Sequence, residues 1–229
     1  MGKKPIGKAE SKAGLAVAAA ALGYFVDVYD IWLYSVLRKK SLIALGISDP
    51  DQIKSVGEWL LNWQMAGFMA GAVAFGVLSD KRGRLAVLFG SILTYSLANL
   101  ANGFVQDVNA YAACRFVAGM GLAGELGAGI ALVSELISPA KRGWATTLVA
   151  FTGVAGSVAA ALVGGQMDWR ISYIIGGLMG LALLLLRLGV LESSMFERTA
   201  HSEVARGRIF DLFKTKERAS RYLAAILAG

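Results

Sequence analysis

The chain has 229 residues, 56% of them apolar and only 17% charged, with a net charge of +7 and a positive mean hydropathy. An average soluble domain is about 25% charged. So apolar a composition excludes a disordered chain and argues against a water-soluble globule. The 28 glycines fall largely inside the apolar runs, a pattern suited to close packing of helices in lipid. The single cysteine, Cys114, excludes an intrachain disulfide framework.

A membrane-crossing helix needs roughly 20 mostly apolar residues. Six stretches qualify in chain order: 13–37, 56–78, 85–104, 111–137, 144–166 and 172–191. Short polar breaks separate them at 79–84, 105–110, 138–143 and 167–171, and a longer one at 38–55 carries the turn signal Asp49-Pro50-Asp51. The resulting organisation is a tail at 1–12, a transmembrane unit at 13–192, an amphipathic linker at 193–221 and a short apolar segment at 222–229. The basic start and apolar run of residues 1–22 resemble a signal peptide, but the run continues to Leu37 and is read as a retained first helix. With the N-terminus placed in the cytoplasm, sixteen of the 23 Lys and Arg fall on the cytoplasmic side, five outside and two within spans. This positive-inside bias accounts for most of the net charge and argues against a nucleic-acid partner. The first outside loop, with Arg38, Lys39, Lys40 and Lys54, is more basic than the rule favours. The expected location is an inner or plasma membrane, with the bilayer itself as a partner.

Ionisable residues inside spans are the informative ones, because a charge at the bilayer centre costs roughly 2.5–3.5 kcal/mol on insertion scales. Asp27 and Asp30 lie three apart in span 1 and share a helix face, with Tyr24 and Tyr34 one turn to either side. Two close carboxylates in a poor dielectric resist double ionisation, so the pair can take up and release a proton. Span 4 carries Arg115 near its outer end, Glu125 near its middle and Glu135 at its inner end. Arg115 is the natural counter-ion for Asp30 and a candidate one for Asp27. It cannot reach Glu125, about 15 Å along the same helix. Gly67 and Gly71 form a GxxxG expected to pack helices within the chain. Asn62, with Trp59 and Trp63, forms a polar-aromatic patch that suits an interfacial belt or a pocket wall, and Gln166 ends a row of polar residues on span 5. No metal-ligand spacing, hydrolase elbow or phosphate loop is present, so neither a cofactor nor an enzyme activity is expected.

The segment Gly76-Val-Leu-Ser-Asp80-Lys-Arg-Gly83-Arg84 resembles the signature loop between helices 2 and 3 of the major facilitator superfamily, apart from Leu85 at a position usually basic. Gly76 is expected to permit close helix approach, Gly83 a tight turn, Asp80 contact with a helix N-terminus and Arg84 a bond to an acid on a neighbouring helix. Further segments resemble the same family in the same order. They are Asp27-Val-Tyr-Asp30, the stretch from Arg115 to Glu125, Glu135-Leu-Ile-Ser-Pro139-Ala-Lys-Arg142-Gly143, Asp168-Trp-Arg170, and Glu192-Ser-Ser-Met-Phe196 with Ser194 in place of a proline.

The resemblance implies an all-α membrane fold of six helices as two inverted three-helix repeats, one half of a twelve-helix transporter. Asp80-Lys-Arg82 after span 2 and Asp168-Trp-Arg170 after span 5 give a faint internal echo. It further implies a proton-coupled symporter of a small metabolite, an organic acid or phosphate-like anion. Asp27, Asp30, Arg115 and Glu125 would couple protons, and Tyr24, Tyr34, Asn62, Arg115 and Gln166 would line the substrate path. Gly76, Asp80, Gly83, Arg84, Glu135 and Arg142 would form a cytoplasmic gate. Residues 222–229 read as the stub of a seventh helix, so a second six-helix half is the expected partner, in the same parent chain or as a separate subunit. An efflux antiporter is the alternative transport reading, although span 5 lacks the proline of the antiporter helix-5 sequence. A non-transporting membrane scaffold is the alternative outside transport.

Overall fold

A computed structural model describes residues 6–136 and 139–191, without the side chains of 6–17, 84–85, 126–142, 145 and 189–191. The linker at 193–221 and the segment at 222–229 lie outside the described residues. The described chain forms six helices: α1 Ile6–Ala44, α2 Pro50–Arg82, α3 Arg84–Asn102, α4 Val108–Leu136, α5 Pro139–Gln166 and α6 Trp169–Leu191. Stretches of α1, α2, α5 and α6 are long and apolar enough to cross a membrane. The 19 residues of α3 reach about 28 Å at 1.5 Å per residue, and α4 carries Arg115 and Glu125 within its length.

The polar breaks are shorter than hydropathy suggests. α1 continues through Arg38, Lys39 and Lys40 to Ala44, and α2 begins at Pro50, so the long first loop contracts to a few residues. Hydropathy marks where the lipid ends. A helix bonds its own backbone and need not stop there. Asp49 is an N-cap, its carboxylate accepting from the Gln52 amide at 3.0 Å. The 79–84 break likewise reduces to Gly83, at φ 89°, which a side chain would strain. Its amide donates to the Ser79 carbonyl at 3.0 Å and closes α2.

Sequence neighbours are not the main packing partners. The large interfaces join α2 to α4, α1 to α5, α3 to α4 and α3 to α6, with α1 also on α6 and α4. Exchanging α1 with α4, α2 with α5 and α3 with α6 maps this set onto itself, as two interlocked inverted repeats require. Glycines set the close crossings. A Cβ at Gly67 or Gly71 would overlap the backbone of Phe116 or Met120 on α4, and one at Gly119 would overlap the Gln64 carbonyl on α2. In the other repeat, Gly156 of α5 meets the Phe25 carbonyl of α1. The GxxxG therefore packs within the chain. Gly76 differs from expectation: no described atom lies within 4 Å of a Cβ built there, so it makes no close approach among the described residues.

One of the basic residues between the first two apolar runs, Lys40, finds a structural role. At the end of the bundle holding the α1–α2, α3–α4 and α5–α6 connections, Lys40 Nζ donates to the carbonyls of Gly164 and Gly165 at 2.7 and 2.8 Å. Arg170 donates to those of Gly103 and Val105 at 3.3 and 2.5 Å. These cations cap the last turns of α5 and α3, where carbonyls lack partners and the dipole favours positive charge. Asp49, Asp107 and Asp168 complement them at the helix starts, accepting backbone N–H bonds.

Candidate functional site

Two charge clusters lie buried between α1, α3, α4 and α6. In the first, Asp30 of α1 and Arg115 of α4 are 1% and 0% exposed, with Arg115 Nη2 at 3.8 Å from Asp30 Oδ1. Asn99 of α3 sits between them. Its amide nitrogen donates to Asp30 Oδ1 at 2.6 Å, and its carbonyl accepts from Arg115 Nη2 at 2.7 Å. A primary amide offers a donor and an acceptor at once, so it can join an anion to a cation that stand slightly too far apart to bond directly. Gln64 of α2 accepts from Arg115 Nη1 at 3.5 Å. The guanidinium also lies over the rings of Tyr173 and Tyr34, 4.8 and 5.9 Å from their centroids, where the ring faces attract a cation.

The rings are themselves anchored. Tyr34 donates to the Gly57 carbonyl at 2.6 Å, and the Tyr173 and Tyr111 hydroxyls lie 2.6 Å apart, with Ser41 Oγ 3.4 Å beyond Tyr111. The cluster keeps spare capacity. Asp30 Oδ2 and Arg115 Nε have no hydrogen-bond partner among the described residues. Buried polar groups are normally bonded, so the cluster retains one unfilled acceptor and one unfilled donor among the described residues.

The second cluster takes Asp27. Although Asp27 shares the face of Asp30, it turns away from Arg115 and toward Glu125 of α4 and Arg187 of α6, so Arg115 serves only one of the two aspartates. Glu125 Oε1 lies 2.8 Å from Arg187 Nη1. Asp27 faces Glu125 across the α1–α4 contact, and Tyr95 of α3 lies beside the cluster, its hydroxyl without a hydrogen-bond partner among the described residues. Arg187 Nη2 donates to the Ala19 carbonyl of α1 at 3.3 Å.

The remaining candidates are dispersed. Tyr24 is 36% exposed, and its ring covers Gly153 of α5. Asn62 is exposed on α2 and Gln166 at the end of α5, so neither joins the buried clusters. Trp59 and Trp63 stack edge to face at 5.9 Å, and Trp63 continues onto Phe116. Asp80 is exposed in the last turn of α2, and the side chains at the start of α3 and α5, which its expected contact concerns, lie outside the described residues. The side chains of Arg84, Glu135 and Arg142 lie outside the described residues. Sequence reasoning missed Asn99, Gln64, Tyr173 and Arg187. Arg187 carried a usable signal, because it is the second basic residue inside a span.

The sequence profile of the Major Facilitator Superfamily matches residues 13–228. A niacin transporter of Acinetobacter baylyi is 32% identical over 206 residues, 88% of this chain and 44% of that protein. The 3-(3-hydroxy-phenyl)propionate transporter of Escherichia coli is 33% identical over 143 residues, 60% of this chain and 35% of that protein. Among solved structures, the proton:xylose symporter XylE superposes with a TM-score of 0.70 at 15% identity, over 79% of this chain and 45% of XylE, a likeness of fold. The chain spans about half the length or less of the curated relatives it matches. It forms half of a major facilitator fold in a multi-pass membrane protein, and it belongs to the major facilitator superfamily.

Proposed function

We propose that this half serves a proton-coupled symporter that imports a small organic acid by alternating access. Its transport-competent form pairs the six helices with a second six-helix half, in an inner or plasma membrane with the N-terminus cytoplasmic. The observation that carries the reading is the water-excluded Asp30–Asn99–Arg115 bridge, which joins α1, α3 and α4. Protonation of Asp30 removes the negative charge that Arg115 faces across Asn99. Arg115 then gains by meeting another anion, and a carboxylate substrate matches its fork of donors. A single proton in so poor a dielectric can bias a two-state balance by a few kcal/mol. The two relatives bear on the substrate: niacin and 3-(3-hydroxyphenyl)propionate are both carboxylic acids attached to a ring. A ring-bearing carboxylate suits a guanidinium flanked by the Tyr34 and Tyr173 rings.

The test is uptake of labelled nicotinate or benzoate into proteoliposomes holding the full-length transporter, with and without an inward proton gradient. Gradient-driven uptake is expected in the wild type. In Asp30→Asn it should vanish while counterflow exchange persists. Unaltered pH-dependent uptake in that variant would remove Asp30 from the mechanism.

The cytoplasmic charges Asp80, Arg84, Glu135 and Arg142 are proposed to latch one end of the cycle, with Gly83 as the pivot. Individual exposed pairs contribute little, so the latch works as a network. Asp80→Asn should then raise cysteine labelling from the cytoplasmic side, and labelling from both sides unchanged from the wild type would exclude the latch.

A further inference from the structure

We propose that Asp27 and Glu125 share a single proton held against Arg187, a second proton-binding site in this half, separate from the Asp30–Arg115 bridge. Three features of the cluster support it. The first is charge. Asp27, Glu125 and Arg187 are 2%, 1% and 4% exposed, so water does not screen them, and two carboxylates against one guanidinium would leave an uncompensated negative charge. Among the described residues no second cation faces them. Arg115 lies about 15 Å along α4 from Glu125 and is engaged by Asp30 and Asn99.

The second is hydrogen bonding. Asp27 and Glu125 face each other across α1 and α4, and while Glu125 Oε1 meets the Arg187 guanidinium, Asp27 Oδ1 and Glu125 Oε2 have no hydrogen-bond partner among the described residues. An ionised carboxylate only accepts. Contact between two of them becomes a bond when one proton sits between them, and that proton also restores neutrality against Arg187.

The third is a seat built for the ion pair. A Cβ at Gly23 would overlap the Arg187 guanidinium and come within 2.9 Å of Glu125 Oε1. Gly23 is therefore a notch in α1 that admits the pair, and Arg187 is fixed there by the Ala19 carbonyl.

The groups facing the shared proton are Asp27 on α1, Glu125 on α4, Arg187 on α6 and the Tyr95 hydroxyl on α3, with Asp30 one turn along α1. With the proton bound, α1 closes on α4 through a neutral cluster. With the proton gone, two like charges face each other across the same helix interface. This site goes beyond the transport reading, because its occupancy is a property of the resting protein and does not depend on Asp30.

Infrared spectroscopy of the whole protein reconstituted in lipid at neutral pH tests it, through the C=O stretch of a protonated carboxyl that shifts in heavy water. The wild type should show this band. Asp27→Asn and Glu125→Gln, both close in shape to the native residues, should each lose it, since the remaining carboxylate then balances Arg187 without a proton. Asp30→Asn should keep it. Arg187→Gln should raise it about twofold, because both acids must then be neutral. Absence of the band in the wild type, its survival in both single-acid variants, or its loss in Asp30→Asn alone would overturn the shared proton. An unchanged band in Arg187→Gln would overturn the role of Arg187. Failure of proton-driven uptake in the transport assay would leave this readout untouched, so the two proposals fall separately.

Discussion

Asp27 and Asp30 are the same residue type, one helical turn apart on the same helix, and equally buried. Their surroundings nevertheless give them opposite bookkeeping. Asp30 faces one cation across a neutral amide, so its cluster balances only when Asp30 is charged. Asp27 faces a second acid that already has its own cation, so its cluster balances when one acid is neutral. The comparison shows that burial alone does not settle what a carboxyl in a membrane does. The count of charges within reach settles it.

Substituting each member separates the two regions. Asp30→Asn should have the largest effect, because it leaves Arg115 buried without a counter-ion, at about 3–5 kcal/mol. The expected result is a large fall in the detergent thermal midpoint, and a midpoint near that of the wild type would mean the pair is not the electrostatic centre of this half. Asn99→Leu should come next. Both ions then lose a charge-assisted bond, at about 1.5–3 kcal/mol, and rescue by Asn99→Gln would not be expected because the longer arm misplaces the amide. Denaturation monitored by tryptophan fluorescence measures both.

Gly23→Ala pushes on the Arg187–Glu125 pair and not on Asn99. It should cost about 1–3 kcal/mol as an overpacked contact while leaving substrate affinity intact, measured by thermal shift beside binding. If affinity fell as well, the two clusters would be coupled more tightly than their geometry suggests. The smallest effect is expected from Asp27→Asn, at about 1 kcal/mol or less, since Glu125 and Arg187 remain a balanced pair. A loss as large as that of Asp30→Asn would erase the distinction between the regions.

The outlines of this fold were legible in the sequence because lipid imposes a length and a polarity on every span. The pairing of Asp30 with Arg115 was legible too, since opposite charges at matching depth on neighbouring helices have few other ways to be stable. Helix ends were less so, because α1 and α2 extend past the apolar run into solvent, where hydropathy says nothing. Asn99 and Gln64 were invisible for a different reason. An amide in a span resembles many structural amides until the helix opposite is known. The division of the two aspartates between different partners depended on rotation of α1 against α4 and α6, which a three-residue spacing alone leaves open. Gly76 teaches the converse. A recognisable loop sequence identified the family, while the close approach expected at Gly76 is not found among the described residues.

The interlocked repeats bear on how such a chain is made. α1 finds its main neighbour in α5 and α2 in α4, so the α1–α2 hairpin has little to hold it together when it is made. It enters the bilayer with glycine notches on α2 and carboxyls on α1 that lack their counterparts until α4, two helices later, and for Asp27 also α6, four helices later, have followed. Assembly of this half is therefore a late event in its synthesis, and the translocon or a membrane chaperone has to shelter Asp27 and Asp30 while they wait.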